Sequence, residues 1–362
     1  MSRTERRPVV IAAGGTGGHV VPALAVAARL KSRNIPVVWF GTRVGLEASM
    51  VPAQNIPMQM IDVSGLRGKG LLDTLLAPFK LVYAVSQSIR YLLQLKPRAV
   101  LGMGGFVSGP VGIAALMLRK PLVLHEQNAV AGMTNRWLSG MATRVFSAWP
   151  NVFKASSNAT VVGNPVRSDM ETLAAAERVV RTDADKPLQV LVVGGSRGAH
   201  ALNQIVPQAA ALIDKAMHIH HQTGNRDASA VRSAYQHAPL AMATVSEFID
   251  DMTSAYGDAD VVVCRSGAMT VTELSALAIP SILVPYPYAV DDHQTLNARH
   301  LSDAGAALLI PEQRLDAKAL AQALLSLADN RQTLVQMSKA ARGCFIPGAA
   351  ATVAHSLAEV SR

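Results

Sequence analysis

Residues Gly14-Gly15-Thr16-Gly17-Gly18-His19 follow the apolar stretch Val9 to Ala13 and precede a helix-like run. A strand, a glycine turn and a helix start together offer backbone N–H groups and the positive end of a helix dipole to a phosphate. His19 would stand at that helix start, facing a cleft between domains. An imidazole ionises near neutrality, so within hydrogen-bond reach of an attacking hydroxyl it can take the proton. His19 is therefore the candidate general base, and His125 beside Glu126 is the rival. A lone histidine caps or packs as often as it catalyses; adjacency to the glycine loop favours catalysis here.

Two further segments carry the same chemistry. Gly194-Gly195-Ser196-Arg197-Gly198 follows Gln189 to Val193 and repeats the glycine spacing and hydroxyl residue of the first loop. Cys264-Arg265-Ser266-Gly267 passes into a helix-like run in which Glu273 lies one to two turns from the start, where a carboxylate can accept two hydrogen bonds from a ribose diol. A third loop, Met103 to Pro110, contains Gly104, Gly105 and Gly109. None is the Gly-x-Gly-x-x-Gly of nicotinamide enzymes, and none has the lysine of a Walker loop. Asp183 with Asp185 and Asp258 with Asp260 read as solvation or capping, so no metal and no cofactor is expected.

The elements that position these loops alternate. Strands are expected at Val9 to Ala13, Pro36 to Gly41, Ala99 to Gly102, Pro121 to His125 and Thr160 to Val162. Helices are expected at Val21 to Lys31, Leu71 to Leu95 and Met133 to Ser139. The pattern restarts at Gln189, with strands at Val261 to Val263 and Ser281 to Val284 and helices at Ala268 to Ala278, Asp291 to Ala304 and Ala349 to Val360. This is the βαβ order of a parallel sheet, twice over. The expected fold class is α/β, with two Rossmann-like domains: residues 1–167, joined by a C-terminal helix at 345–362, and residues 168–344.

Composition agrees. A chain of 362 residues exceeds one ordinary core, half of it is apolar, and 16% is charged. Two cysteines are too few for a disulfide scaffold or a four-ligand zinc site. A formal charge of +9 suits anionic ligands or an anionic lipid surface. The longest uncharged stretch, Ala99 to Leu118, is broken by glycines and Pro110, so no membrane span or export signal is read.

The ordered motifs resemble the MurG family of peptidoglycan N-acetylglucosaminyltransferases over almost the whole chain. The likeness rests on Gly14 to His19, Gly102 to Pro110, His125-Glu126-Gln127-Asn128 with Thr134-Asn135, and Gly163 to Arg167. It continues through Gly194 to Ala199, Phe248 to Met252, Cys264 to Glu273, and His293-Gln294 with Asn297. The resemblance implies a GT-B fold, with two Rossmann-like domains facing across a cleft. It implies metal-independent inverting transfer of N-acetylglucosamine from UDP-N-acetylglucosamine to the 4-hydroxyl of undecaprenyl-diphosphate-linked MurNAc-pentapeptide (lipid I), giving lipid II. It also implies a peripheral place on the cytoplasmic face of the inner membrane and no nucleic-acid partner.

Residue roles carried over by the resemblance are as follows. Thr16, Gly17, Gly18, Asn128 and Arg167 would reach the donor from the N-terminal side. Ser196 and the helix start Ala268, Met269, Thr270, Val271 and Thr272 would hold the diphosphate, Ile249 would flank uracil, Glu273 would bind ribose, and Gln294 the sugar. Gly104, Gly105, Glu126 and Asn135 would serve the acceptor. The loop Tyr286 to Asp292 and Arg197 depart from the family pattern. Alternatives are an epimerase of the same donor and architecture, or a non-catalytic sugar-nucleotide-binding subunit.

In the expected helix Leu71 to Leu95, Leu71, Leu75, Val82, Val85, Ile89 and Leu92 can form a core stripe. That leaves Leu72, Leu76, Phe79 and Tyr83 on a second apolar face for an anionic membrane, with Arg67, Lys69 and Lys80 close by.

Overall fold

A computed structural model describes residues 7–63, 76–195 and 198–360. The chain divides into two compact units, Met1–Ser168 with Ile346–Arg362, and Asp169–Phe345.

The first unit runs β1 (Val9–Ala12), α1 (Gly17–Ser32), β2 (Val37–Gly41), α2 (Glu47–Met50), β3 (Met58–Met60), α3 (Ala77–Leu95), β4 (Ala99–Gly102), α4 (Ser108–Met117), β5 (Leu122–Glu126), α5 (Met133–Leu138), β6 (Arg144–Ser147) and β7 (Thr160–Val161). The second begins within α6 (Ser168–Ala174). It continues through β8 (Leu188–Val193), α7 (His200–Ala211), β9 (Met217–Gln222), α8 (Ala228–Tyr235), β10 (Ala241–Ser246), α9 (Met252–Asp258), β11 (Val261–Cys264) and α10 (Ala268–Ala276). It ends with β12 (Ser281–Leu283), α11 (His293–Ser302), β13 (Ala307–Leu309), α12 (Ala317–Asp329) and α13 (Arg331–Gly343), after which α14 (Ala349–Glu359) belongs to the first unit.

Both sheets are parallel, ordered β3-β2-β1-β4-β5-β6-β7 and β10-β9-β8-β11-β12-β13. Helices cover both faces, so central strands are apolar without alternation. In β1, Val9 and Ile11 pack with Val26 and Leu30 of α1 and Val353 and Leu357 of α14. Val10 and Ala12 face the other way, into a core with Leu92 of α3, Val111 of α4 and Leu138 of α5. The order reverses between β1 and β4 and between β8 and β11, and ligands of open α/β sheets bind at the carboxyl ends flanking such a switch point. All four glycine loops follow those four strands.

Several elements differ from expectation. β9, with sequence Met-His-Ile-His-His-Gln, went unread because its histidines hide the alternation; Met217, Ile219 and His221 are nevertheless buried. α11 starts at His293 because Asp291 and Asp292 both take positive φ, of 52° and 49°. Residues 71–75 of the expected Leu71–Leu95 helix lie outside the described residues. In the rest, Ala84, Ser88 and Leu92 form the buried stripe, and Val82, expected in it, is 68% exposed because it lies on the opposite side of the turn from Ala84.

Asp260 is no surface cap. It is 5% exposed at the start of β11; its Oδ1 accepts from Arg181 Nε at 2.8 Å, and its Oδ2 from Gln189 N at 2.9 Å and Arg331 Nη1 at 3.3 Å. Removing one partner from such a buried pair strands a charge, at a cost of about 3–5 kcal/mol. Asp260→Ala is expected to speed hydrogen exchange of β8 and β11 amides by about two orders of magnitude, leaving β1 and β4 unchanged. Unaltered β8 exchange would show the node to be dispensable.

Candidate functional site

In the first unit, β1 leads into Gly14-Gly15, and Gly15 adopts φ 93°, a conformation open to glycine. Its N–H donates to Glu47 Oε2 at 2.9 Å, while Glu47 Oε1 accepts from the N–H of Thr42 at 2.9 Å and its hydroxyl at 2.7 Å. Glu47 is fully buried; a Cβ at Gly14, Gly41 or Gly45 would come within 2.5, 2.7 or 2.0 Å of its side chain. These glycines make room for a carboxylate that backs the first loop. The Gly15 amide is thus committed to Glu47. At the start of α1 the N–H groups of His19 and Val20 turn back to the Thr16 carbonyl, leaving the Gly17 and Gly18 amides at the helix end.

The loop after β4 packs directly on the first. Gly104 and Gly105 take φ 93° and 78°; a Cβ at Gly104 would lie 2.8 Å from the His19 ring, and one at Gly105 2.2 Å from the Gly14 carbonyl. Their lack of a side chain serves this loop-to-loop approach. Ser108 Oγ lies 2.7 Å from the carbonyls of both Ala12 and Gly104, tying the loop to β1.

His125, Glu126 and Gln127 form a buried polar run at the end of β5. Glu126 Oε1 accepts from the N–H of Asn128 at 3.1 Å and its Nδ2 at 3.3 Å; Oε2 accepts from Gly132 N at 3.0 Å and Asn135 Nδ2 at 2.9 Å. Asn135 also donates to the His125 carbonyl. Glu126 and Asn135, expected at the acceptor, are both buried with these partners, and their side chains brace the 127–135 loop. His125 Nε2 lies 2.9 Å from the Gly163 carbonyl and Nδ1 lies 3.1 Å from Gln127 Nε2. Burial lowers the His125 pKa to about 4, against smaller opposing pulls from the Gly163 carbonyl and Glu126. Every polar atom of the His125 and Glu126 side chains is thus engaged within the protein. Gln127 Oε1 lies 2.9 Å from Nδ1 of half-buried His19. The structure therefore joins Thr16 to His19, Gly104, Gly105 and Glu126 to Asn128 in one assembly, and Arg167 is exposed.

In the second unit, Gly195 has φ 79°, and Gln222 grips it from both sides: Gly195 N donates to Gln222 Oε1, and Gln222 Nε2 to the Gly195 carbonyl, each at 3.1 Å. A neutral amide here occupies the place that Glu47 takes in the first unit. Ser196 and Arg197 lie outside the described residues. α10 opens at Gly267 without a side-chain cap, leaving the Ala268, Met269 and Thr270 amides as its unpaired donors. Val271 N–H bonds back to Gly267, and the side chains of Val271 and Thr272, expected at the diphosphate, are buried.

Ser266 Oγ donates to the Gln294 carbonyl at 2.8 Å, and Tyr286 N–H to Gln294 Oε1 at 2.9 Å, which leaves the Gln294 amide nitrogen to donate. The hydroxyl of buried Tyr256 reaches Glu273 Oε2 at 3.2 Å, steadying that half-buried carboxylate. Ile249 is nearly buried. Sequence reasoning missed Glu47, Gln127, Gln222 and Tyr256. The Gly-Leu-Glu run at 45–47 and the Gln127 beside His125 were the available signals.

The glycosyltransferase family 28 N-terminal domain matches residues 9–147, and the family's C-terminal domain matches residues 189–353. Curated relatives named UDP-N-acetylglucosamine--N-acetylmuramyl-(pentapeptide) pyrophosphoryl-undecaprenol N-acetylglucosamine transferase are similar throughout. The one from Marinobacter nauticus is 47% identical over 100% of this chain and 99% of its own. The one from Methylococcus capsulatus is 50% identical over 96% and 97%. The crystal structure of Acinetobacter baumannii MurG aligns with a TM-score of 0.83 at 41% identity, covering 98% of this chain and 99% of that one. A Listeria monocytogenes structure described as a putative UDP-N-acetylglucosamine 2-epimerase shares the fold alone, at 15% identity.

Neutral, buried His125 gives the first unit a pH signature. Unfolded, a histidine takes up a proton below about pH 6.5; folded, His125 takes one up only near pH 4. Its stabilising contribution is thus full above pH 6.5 and is lost as pH falls toward 4, by about 3 kcal/mol in all. The chain's tryptophans, Trp39, Trp137 and Trp149, all lie in this unit, so fluorescence-detected urea unfolding reports it. The slope between pH 6.5 and 4 is expected to flatten in His125→Gln; an identical slope would refute the assignment. With both domain matches in order and relatives near half identity end to end, the chain belongs to the MurG family of glycosyltransferase family 28 and has its GT-B fold.

Proposed function

We propose that this chain transfers N-acetylglucosamine from UDP-N-acetylglucosamine to the MurNAc 4-hydroxyl of lipid I, forming lipid II in peptidoglycan synthesis. The observation that carries this reading is identity of 47–50% to transferases of that name over nearly their whole length. The epimerase alternative has fold likeness only.

The reaction is a single inverting displacement. The acceptor oxygen attacks the anomeric carbon, the bond from that carbon to UDP oxygen breaks, and UDP leaves with the electron pair. His19 takes the hydroxyl proton. The Ala268, Met269 and Thr270 amides, at the positive end of α10, offset the charge growing on the diphosphate, a role we assign to Ser196 as well. Glu273 accepts from the ribose hydroxyls, Ile249 flanks uracil, and the Gln294 amide donates to the sugar. Thr16, the Gly17 and Gly18 amides, Asn128 and Arg167 complete the donor contacts. The glycine loop at Gly104 and Gly105 borders the acceptor.

Because a base acts mainly in the transition state, His19→Ala is expected to lower kcat about a hundredfold or more, with the donor KM nearly unchanged. Steady-state transfer to a lipid I analogue measures both, and an unchanged kcat would eliminate His19 as the base.

No helix among the described residues is long and apolar enough to cross a membrane. The acceptor is membrane-held, so the enzyme meets it at the cytoplasmic surface as a peripheral protein. The first turns of α3 support this: Leu76, Phe79, Val82 and Tyr83 are all exposed, Phe79 by 73%, and Lys80 lies among them. Leu72, assigned to the same face, lies outside the described residues. Exposed apolar groups beside a cation suit an anionic bilayer, where each large side chain contributes about 1.5–3 kcal/mol on burial. The double substitution Leu76→Glu with Phe79→Glu is expected to weaken binding to phosphatidylglycerol vesicles at least about tenfold while Tm stays constant. Undiminished binding would exclude the patch, and a collapse in Tm would make it core.

A further inference from the structure

We infer that Gln127, itself oriented by His125, holds His19 in the Nδ1–H tautomer, so that Nε2 carries the lone pair that receives the acceptor proton. The inference deepens the reading of His19 as general base and rests on it. Gln127 is then a positioning residue: it touches the base and acts through it.

The chain of donors and acceptors starts from an atom that can only accept. The Gly163 carbonyl lies 2.9 Å from His125 Nε2, so that nitrogen carries the hydrogen. His125 is fully buried, and its ring stays neutral, so Nδ1 is the accepting nitrogen. The atom 3.1 Å from that Nδ1 must donate, which fixes the Gln127 amide with Nε2 toward His125. The same Nε2 donates to the His125 backbone carbonyl at 3.1 Å. Reversing the amide would set two carbonyl oxygens against each other and demand a second proton on a buried ring, so both constraints select one orientation. Oε1 then faces His19 Nδ1 at 2.9 Å, and because Oε1 can only accept, Nδ1 donates. One hydrogen remains for a neutral imidazole, and it is spent. Nε2 has no protein partner among the described residues.

The chain is braced on every side. Trp149 Nε1 and Asn164 Nδ2 donate to the Gln127 backbone carbonyl, at 2.9 and 3.1 Å, fixing the main chain from which the amide projects. The His19 ring packs against Gly104, where any Cβ would collide with its Nδ1–Cε1 edge. When Nε2 takes the proton of the attacking hydroxyl, the ring becomes an imidazolium, and the Nδ1–H bond to Oε1 becomes charge-assisted and stronger. Gln127 thus favours the protonated state that exists only after transfer begins.

Long-range proton–nitrogen correlation of the protein labelled with 15N-histidine reads the tautomer directly, with His19 assigned by its disappearance in His19→Ala. The expected spectrum has a protonated Nδ1 and a bare Nε2; a protonated Nε2 in the unaltered protein overturns the inference, whatever any variant does. Gln127→Met keeps the side chain's length and removes both hydrogen-bonding atoms. It is expected to shift the His19 signals toward the Nε2–H form and to lower kcat at least about tenfold with little change in the UDP-N-acetylglucosamine KM. An unchanged kcat in folded Gln127→Met would overturn the positioning role. Should His19→Ala keep its turnover, the base assignment fails while the tautomer result stands on its own.

Discussion

The carboxylate of Glu126 is buried at the carboxyl end of β5 and accepts four hydrogen bonds, from Asn128, Gly132 and Asn135. A charge in that position is tolerable only while all four donors are in place. The requirement fixes the course of the chain from Gln127 to Asn135, and with it the point from which the Gln127 amide reaches His19. β5 ends where it does because β4 and β6 hold it in register, pairing Val123 with Arg144 and Glu126 with Ser147. A buried carboxylate brace, a parallel sheet and one histidine are therefore mechanically connected. The strand fixes the brace, the brace fixes the loop, and the loop fixes the ring.

The two units use one architectural device with opposite electrostatics. In each, the second glycine of the loop after the first strand has positive φ, and its N–H is taken by a side chain from a neighbouring element. That side chain is the charged Glu47 in the first unit and the neutral Gln222 in the second. A phosphate at Gly15 would meet the carboxylate that binds its amide, whereas the side chain that binds the Gly195 amide is the neutral carboxamide of Gln222. This asymmetry supports assigning the donor diphosphate to the second unit. In the first, the Gly17 and Gly18 amides remain at the helix end.

Much of this was legible in the sequence, because short apolar strands ending in glycine loops are a local signal. Val9 to Ala13, Ala99 to Gly102 and Val261 to Val263 each declare a buried parallel strand within five residues. What stayed hidden is long-range. Glu47 lies 32 residues from the Gly15 amide it binds, and Gln127 lies 108 residues from His19. Sequence displays a carboxylate or a carboxamide, not its partner, so the burial of Glu126 and Asn135 and the bond between them could not be read from it. Asp260 misled in the same way: an acidic residue before a strand looks like solvation until Arg331, 71 residues on, is seen beside it. β9 was missed for a different reason, since three histidines replaced the apolar residues that mark a buried strand.

We propose that catalysis rests on the imidazole of half-buried His19, while Glu126 braces the loop from Gln127 to Asn135. Chemical rescue separates the two most directly. Removing the ring in His19→Gly leaves a space that small bases can enter, and added imidazole is expected to restore transfer to a lipid I analogue in proportion to its free-base concentration. Formate added to Glu126→Ala is predicted to restore nothing, because the lost group held a loop and moved no proton. Rescue of Glu126→Ala by formate, with His19→Gly indifferent to imidazole, would instead make Glu126 the base.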